Sequence, residues 1–75
     1  MSQTFQGALR VLEAKCGGER GLASLLHVKP RSVADYRIGR MRPSLATCRY
    51  LARICATLYG PGDERSSATW WRQAP

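Results

Sequence analysis

The chain has few of the side chains with which enzymes carry out acid, base and metal chemistry. It contains one histidine, His27, and five Asp and Glu residues, and these are scattered without an acid/base pair, a triad or a metal-binding cluster. Its 75 residues make one small domain, which leaves little room for a catalytic cleft. We therefore expect a binding protein rather than an enzyme, with no cofactor, no metal and no small-molecule ligand.

Cysteines and long apolar runs are also scarce. The three cysteines, Cys16, Cys48 and Cys55, are odd in number and lack CxxC or Cys/His spacing, which argues against a disulfide framework and a zinc site. We interpret them as core residues, since thiols are often buried. No apolar run is long enough to span a bilayer, and the N-terminus MSQTFQGALR lacks the apolar segment of a signal peptide. The sequence therefore predicts a cytoplasmic protein.

Positive charge is what the chain has in excess. The formal net charge is +7. The third of the chain from Lys29 to Arg53 has seven basic residues and one acidic residue, Asp35, so that seven minus one leaves +6 there. The basic residues of this segment are Lys29, Arg31, Arg37, Arg40, Arg42, Arg49 and Arg53. Such a concentration of positive charge predicts a polyanion as the partner.

Apolar spacing and turn residues predict an all-α fold, a compact bundle of four to five short helices. The predicted helices run from the Thr4 N-cap to about Cys16, from Glu19 to Leu26, from Pro30 to Ile38, from the Ser44 N-cap to about Tyr59, and briefly after Asp63. In the first helix, Arg10, Glu13 and Lys15 are expected on the solvent side. We expect a single domain over residues 1–75, in which residues 60–75 form a C-terminal tail.

The second and third helices form the most informative pattern. Apolar residues at Leu22, Ala23, Leu26, Val28, Val33 and Tyr36 predict two short helices joined by a tight turn. His27 lies in that turn, and histidine is enriched at positive φ compared with most other residues. Because basic side chains crowd the second of these helices and the segment after it, the pattern is typical of a DNA-reading helix-turn-helix.

Several spaced matches carry a resemblance to a known family. They are Gly17-Gly18, Leu22-Ala23, Leu26 and Val28 on either side of the turn, Val33 and Tyr36, then Gly39-Arg40 and Arg42-Pro43-Ser44 before a Leu-rich helix. Over about residues 17–58 the chain resembles the Cro and phage-repressor helix-turn-helix family, which has the fold of lambda-type repressors. His27 replaces the usual turn glycine of that family, and Lys29-Pro30 replaces its more usual serine-led cap.

The resemblance implies roles for individual residues. In the family, the third helix lies in the major groove while helix ends and the following loop contact phosphates. Carried over to this chain, the base-reading residues are Lys29, Arg31, Ser32 and Asp35, and the phosphate contacts are Arg37, Arg40 and Arg42. The planar guanidinium of Arg31 independently suits guanine. Asp35 would accept a hydrogen bond from cytosine, brace the Arg31 guanidinium, or form an ordinary ion pair on a solvated helix face. For Arg40 and Arg42, the alternative to phosphate contact is a loop whose charges only keep the protein soluble.

The C-terminal tail carries two adjacent tryptophans, Trp70 and Trp71, which a domain of this size can hardly bury together. Adjacent residues on a helix diverge by about 100°, so one ring would pack inside while the other meets a second subunit. Together with Tyr50 and Ile54, the two tryptophans form the predicted dimerisation surface. The alternative is that both rings fold back onto the same chain.

These observations predict a sequence-specific regulator that binds double-stranded DNA. The form we expect is a homodimeric repressor of phage or mobile-element type, acting on an inverted-repeat operator in a bacterial cytoplasm. The alternative is a protein-binding module that reuses the helix-turn-helix scaffold to block a host factor. An architectural DNA binder fits less well, because the outer face of the third helix mixes Arg, Ala, Asp and Ile.

Overall fold

The computed structural model describes residues 4–72, and within that range the chain consists of helices and the turns that connect them. The helices are α1 (Phe5–Lys15), α2 (Glu19–Leu26), α3 (Pro30–Arg37), α4 (Leu45–Tyr59) and α5 (Ala68–Arg72), with a short 3₁₀ helix at Glu64–Ser66. The predicted all-α class is therefore confirmed for the described residues. The last three residues of the predicted tail 60–75 lie outside them.

The chain divides into two compact units, residues 1–41 and residues 42–75. The first unit contains α1, α2 and α3, and the second contains α4, the 3₁₀ helix and α5. The described part of the tail, residues 60–72, thus belongs with α4. A single domain over the whole chain stays a prediction.

Helix α1 begins where the sequence predicts it. The Oγ1 of Thr4 accepts a hydrogen bond from the backbone N–H of Gly7 at 3.0 Å and caps the helix. Helical spacing places Phe5, Ala8, Leu9 and Leu12 on one face of α1, and all four are buried. Glu13 is an exception to the predicted solvent face, since only 8% of it is exposed. The burial is explained by the guanidinium of Arg37, which binds the Glu13 carboxylate.

The connection between α2 and α3 is three residues long, from His27 to Lys29. His27 has φ 58° and ψ 40°, the left-handed conformation, and its backbone N–H donates to the carbonyls of Ala23 and Ser24. The positive φ predicted for this histidine is confirmed. Ala23 is 1% exposed, as expected for a small residue between packed helices.

Helix α3 starts with Pro30 in its first turn, where the missing N–H has no cost. It ends at Arg37, one residue before the predicted end, because Ile38 has φ −91° and ψ 0° and serves as the C-cap. Gly39 follows with φ +80° and turns the chain away from the helix axis.

Helix α4 also has its predicted cap, since the Ser44 Oγ accepts the backbone N–H of Thr47 at 3.2 Å. Its buried residues are Thr47, Cys48, Leu51, Ala52 and Cys55. Helical spacing places Leu45 and Leu58 beside these buried residues, but both are 44% exposed. Both lie in the terminal turns of the helix, where a neighbouring element covers less of the surface.

The cysteines are thiols rather than bridges. Cys48 and Cys55 are buried and Cys16 is half-buried, and all three are unbridged. Burial raises the pKa of the Cys48 thiol, and also that of Cys16, so both thiols ionise less readily than a free cysteine. The burial of Cys48 and Cys55 agrees with the core interpretation, whereas Cys16 lies at the edge of the packed interior.

Candidate nucleic-acid interface

The outer side of α3 is the surface to which the sequence assigns DNA reading. Val33 and Tyr36 face inward and are 0% and 5% exposed. On the other side Arg31 is exposed, Asp35 is half-buried and Ile38 is 65% exposed. The helix thus has one packed face and one accessible face, divided as the helical spacing predicts.

The four candidate base-reading residues lie on the first turns of α3. Lys29 is the N-cap and is exposed, as is Arg31, whereas Ser32 and Asp35 are half-buried. Lys29 gives the helix no side-chain cap. Within residues 4–72, neither Arg31 nor Asp35 forms an ion pair, with the other or with any further residue. An internal brace between these two side chains is therefore absent from the described part of the chain.

Arg40 and Arg42, two candidate phosphate contacts, are both exposed. The backbone N–H groups of Arg40 and Met41 donate to the carbonyl of Asp35 at 2.9 and 3.3 Å, which holds the turn after α3 against the end of the helix. Arg42 begins the second unit, just before the Ser44 cap. That cap already occupies the Thr47 N–H, so an anion at the start of α4 would be left with the remaining N–H groups of the first turn.

Arg37, the third candidate phosphate contact, has partners inside the first unit. Its Nη1 donates to both carboxylate oxygens of Glu13 at 3.0 and 2.9 Å, and its Nη2 lies 3.6 Å from an oxygen of Glu19. The Arg37 and Glu13 side chains are 29% and 11% exposed. Arg37 therefore joins α3 to α1 and to the first turn of α2, and a phosphate would have to compete with two carboxylates for it.

Two residues that position α3 were not singled out by the sequence. Glu13 is the partner of Arg37, although helical spacing placed it on the solvent side. Gly21 allows α2 to approach the end of α1, because a Cβ at this position would overlap the carbonyl carbon and oxygen of Cys16. The signal available in the sequence was a glycine inside a helical pattern, which often marks a close approach of backbone.

The predicted dimerisation residues differ in accessibility. Trp71 is 1% exposed, and its indole N–H donates to the Arg65 carbonyl at 2.7 Å. Trp70 is half-buried and meets the Trp71 ring edge to face, with 4.8 Å between centroids. Tyr50 is 41% exposed and Ile54 is half-buried. We remove Trp71 from the predicted dimer surface, because the turn at Glu64–Ser66 supplies the hydrogen-bond acceptor that lets its ring be buried in its own chain.

Among residues 4–72, no group of three or more His, Cys, Asp or Glu side chains is placed to hold a metal ion. The helices of the same range are too short or too polar for one of them to cross a bilayer.

Comparison of the chain with protein-family models finds no matching family. No curated protein matches the chain, and no solved structure does. The resemblance to the Cro and phage-repressor family therefore depends on the spaced residues of α2, α3 and the start of α4.

Proposed function

We propose that the chain is a sequence-specific regulator that binds double-stranded DNA through the outer face of α3, the second helix of a helix-turn-helix. One observation carries this proposal: Arg31 and Asp35 stand one turn apart on an accessible helix face, and neither is neutralised inside the described chain. Arginine and aspartate are charged groups that gain most from a ligand with matching donors and acceptors. The edges of base pairs in a major groove present such groups.

The dimensions of α3 suit this role. An α-helix with its side chains is about 10 to 12 Å in diameter, and the major groove of B-DNA is about 12 Å wide, so a helix such as α3 can lie in it. Arg31, in the first turn, would donate two hydrogen bonds to O6 and N7 of a guanine, and Asp35 would accept one from N4 of a cytosine. Ala34 and Ile38 would supply the apolar surface that contacts thymine methyl groups.

Phosphate contacts would fix the register of α3 in the groove. In our proposal Arg40 and Arg42 bind the DNA backbone, Lys29 and Ser32 assist at the start of α3, and Arg37 holds the helix in place through Glu13. Arg37 thus acts on DNA through the position of α3. In this role Arg37 keeps its contacts with the Glu13 and Glu19 carboxylates and does not itself bind a phosphate.

The biological form that we propose is a homodimeric repressor in the cytoplasm of a bacterium, of phage or mobile-element type, without enzymatic activity. A two-fold dimer would read an inverted repeat whose half-sites lie about 10 base pairs apart, or a multiple of this. Trp70, Tyr50 and Ile54 are the apolar side chains that we assign to the dimer contact. Such a protein would repress by occupying a promoter.

Selection of preferred sites from random duplex DNA tests the proposal directly. We expect an inverted repeat, from which Arg31→Ala loses about 1 to 3 kcal/mol of binding free energy and its preference at one base pair. Arg42→Ala should weaken binding to all sequences alike and reduce the salt slope by about one.

An equal loss for Arg31→Ala on selected and on random DNA would contradict its base-reading role. If selection returns no preferred sequence and retention on DNA does not fall with salt, the chain is better described as a protein-binding module. That result would overturn the proposal as a whole.

A further inference from the structure

Helix α4 has a solvent-facing side whose only charges are positive. Arg49 and Arg53 are exposed and lie four residues apart, so they are neighbours on the helix surface. At about 100° per residue, they lie opposite the buried face that contains Cys48, Leu51 and Cys55. The fifteen residues of α4 include no Asp or Glu.

The positive charges of this side of α4 are not compensated within the described chain. Within residues 4–72, neither Arg49 nor Arg53 has an ion pair or a hydrogen bond to its side chain. Like charges four residues apart destabilise a helix. An ordinary solvated helix face mixes the two signs, which avoids this repulsion. Two unopposed arginines are better explained by a polyanionic ligand.

The neighbours of the two arginines favour a phosphate backbone over base edges. Ala46 and Thr57 lie on the same side of α4 and are exposed, and the exposed Tyr50 borders this side where the proposed dimer contact begins. Ala46 is small and would let a strand approach closely, and the Thr57 hydroxyl already donates to the Arg53 carbonyl at 3.1 Å. Apart from the two guanidinium groups, this side offers little with which to distinguish one base from another.

We propose that Arg49 and Arg53 form a second phosphate-binding surface for DNA, separate from the reading helix α3. Four residues of helix rise about 6 Å, whereas the charges of one DNA strand recur about every 3.4 Å along the duplex axis. The two guanidinium groups therefore span about two phosphates, and each can bind phosphate oxygens with two parallel hydrogen bonds. This surface rests on the proposed function insofar as duplex DNA is its ligand.

The test uses the full chain with Arg49→Gln and Arg53→Gln combined. Its binding to a selected duplex and to a random duplex is measured over a range of salt concentrations. We expect the slope of log K against log salt to fall by about 1.8, since each phosphate contact contributes about 0.9. Affinity should fall by the same factor for both duplexes, which leaves sequence preference unchanged. Because the change removes a like-charge repulsion, the Tm should stay level or rise slightly.

A matched control removes two exposed arginines that lie far apart in the sequence and on different helices, as Arg10→Gln with Arg72→Gln. Both double variants lower the formal charge from +7 by two, to +5. If the two variants lose affinity and salt slope equally, net charge explains the effect and the second surface is refuted. A changed ratio between selected and random duplex would also refute it, because the arginines would then read bases.

An acidic protein surface is the competing ligand. If the wild-type chain binds a polyglutamate peptide more tightly than random duplex, and the Arg49→Gln and Arg53→Gln variant loses that binding, the assignment to DNA is overturned. The comparison on random duplex does not depend on a preferred sequence. It therefore separates failure of this surface from failure of the function proposed for α3, which the Arg31→Ala variant tests.

Discussion

Each of the two units is stabilised by its own internal contacts, and these contacts differ in how far apart in the sequence their residues lie. In the first unit, Arg37 on α3 binds Glu13 on α1, 24 residues earlier in the sequence. In the second unit, the contacts centre on Arg65, whose guanidinium binds Asp63 two residues away and stacks at 3.7 Å on the ring of Tyr59. The Arg65 carbonyl accepts the indole N–H of Trp71, six residues later.

This difference determines what each unit can tolerate. Around Arg65, the chain folds back over short loops, whose closure has a small entropic cost, and several contacts meet at one residue. The orientation of α3 depends instead on the close approach of Gly21 to the Cys16 carbonyl and on the ion pair between Arg37 and Glu13. A substitution of either charged residue leaves the other without this partner. We therefore expect the first unit, which carries the proposed reading helix, to be the more sensitive to single substitutions.

The largest effect is expected from Gly21→Ala. The new Cβ would overlap the backbone carbonyl of Cys16, so α1 and α2 would have to move apart. We expect a loss of about 3 kcal/mol or more in the free energy of unfolding, at the upper end of the range for overpacking. Urea denaturation followed by circular dichroism measures it. Gly62→Ala is the control, since a Cβ there meets no atom within 4 Å. Equal stability of the two variants would contradict the close approach.

Arg37→Ala comes next. It leaves the Glu13 carboxylate, whose side chain is 11% exposed, without its partner. The expected destabilisation is about 2 kcal/mol, typical of a charged group left unsatisfied in a partly buried place. Adding Glu13→Gln to Arg37→Ala should recover part of this loss, because the unpaired charge is gone. If the two substitutions are simply additive in a double-mutant cycle, Arg37 and Glu13 do not stabilise α3 together.

Trp71→Phe tests the second unit and should have a smaller effect. Phenylalanine keeps most of the buried apolar surface but removes the N–H that donates to the Arg65 carbonyl at 2.7 Å. We expect a loss of about 1 kcal/mol, the usual net contribution of one hydrogen bond. Thermal unfolding of Trp71→Phe beside Trp70→Phe gives the comparison. A larger loss at Trp70, which is the more exposed of the two, would reverse the assignment of the buried ring.

The smallest expected effect is on pH dependence. Hydrogen bonds from the Arg65 side chain and its backbone N–H lower the pKa of Asp63 from 3.8 to about 2. Because the folded pKa is the lower one, the stabilisation is fully present above pH 3.8 and is lost as the pH falls towards 2. Hydrogen exchange of the Trp71 indole N–H should therefore quicken over that interval in the wild type. In Asp63→Asn it should change less, and identical profiles would contradict the role of Asp63.

Local chemistry in the sequence was sufficient for most of the helix boundaries. Thr4 and Ser44 cap helices with their side chains, Pro30 starts α3, and His27 and Gly39 accept the positive φ that the turns require. Each of these outcomes depends on a residue and its neighbours within about four positions. That is why α2 and α4 have their predicted bounds, and why the predicted ends of α1 and α3 differ from the observed ends by one residue.

The C-terminal segment shows where local rules become incomplete. The last predicted helix follows Asp63, and the Asp63 Oδ1 does accept the Arg65 N–H at 2.9 Å. The element that Asp63 caps, however, is the 3₁₀ helix at Glu64–Ser66. Helix α5 begins later, at Ala68. The ring of Trp71 could be buried only because this turn placed a carbonyl where its N–H needed an acceptor.

The sequence by itself determined the helical class, the limits of the first four helices to within about one residue, the excess of positive charge and the accessible face of α3 with Arg31 and Asp35. The tertiary structure alone decided that Glu13 is buried against Arg37, that Gly21 lies against the Cys16 carbonyl, and that Trp71 rather than Trp70 is enclosed. The physical reason is distance along the chain. Caps and turns are set by neighbouring residues, whereas the partner of a charge or an aromatic ring depends on which helices pack together, and a helical spacing pattern does not contain that information.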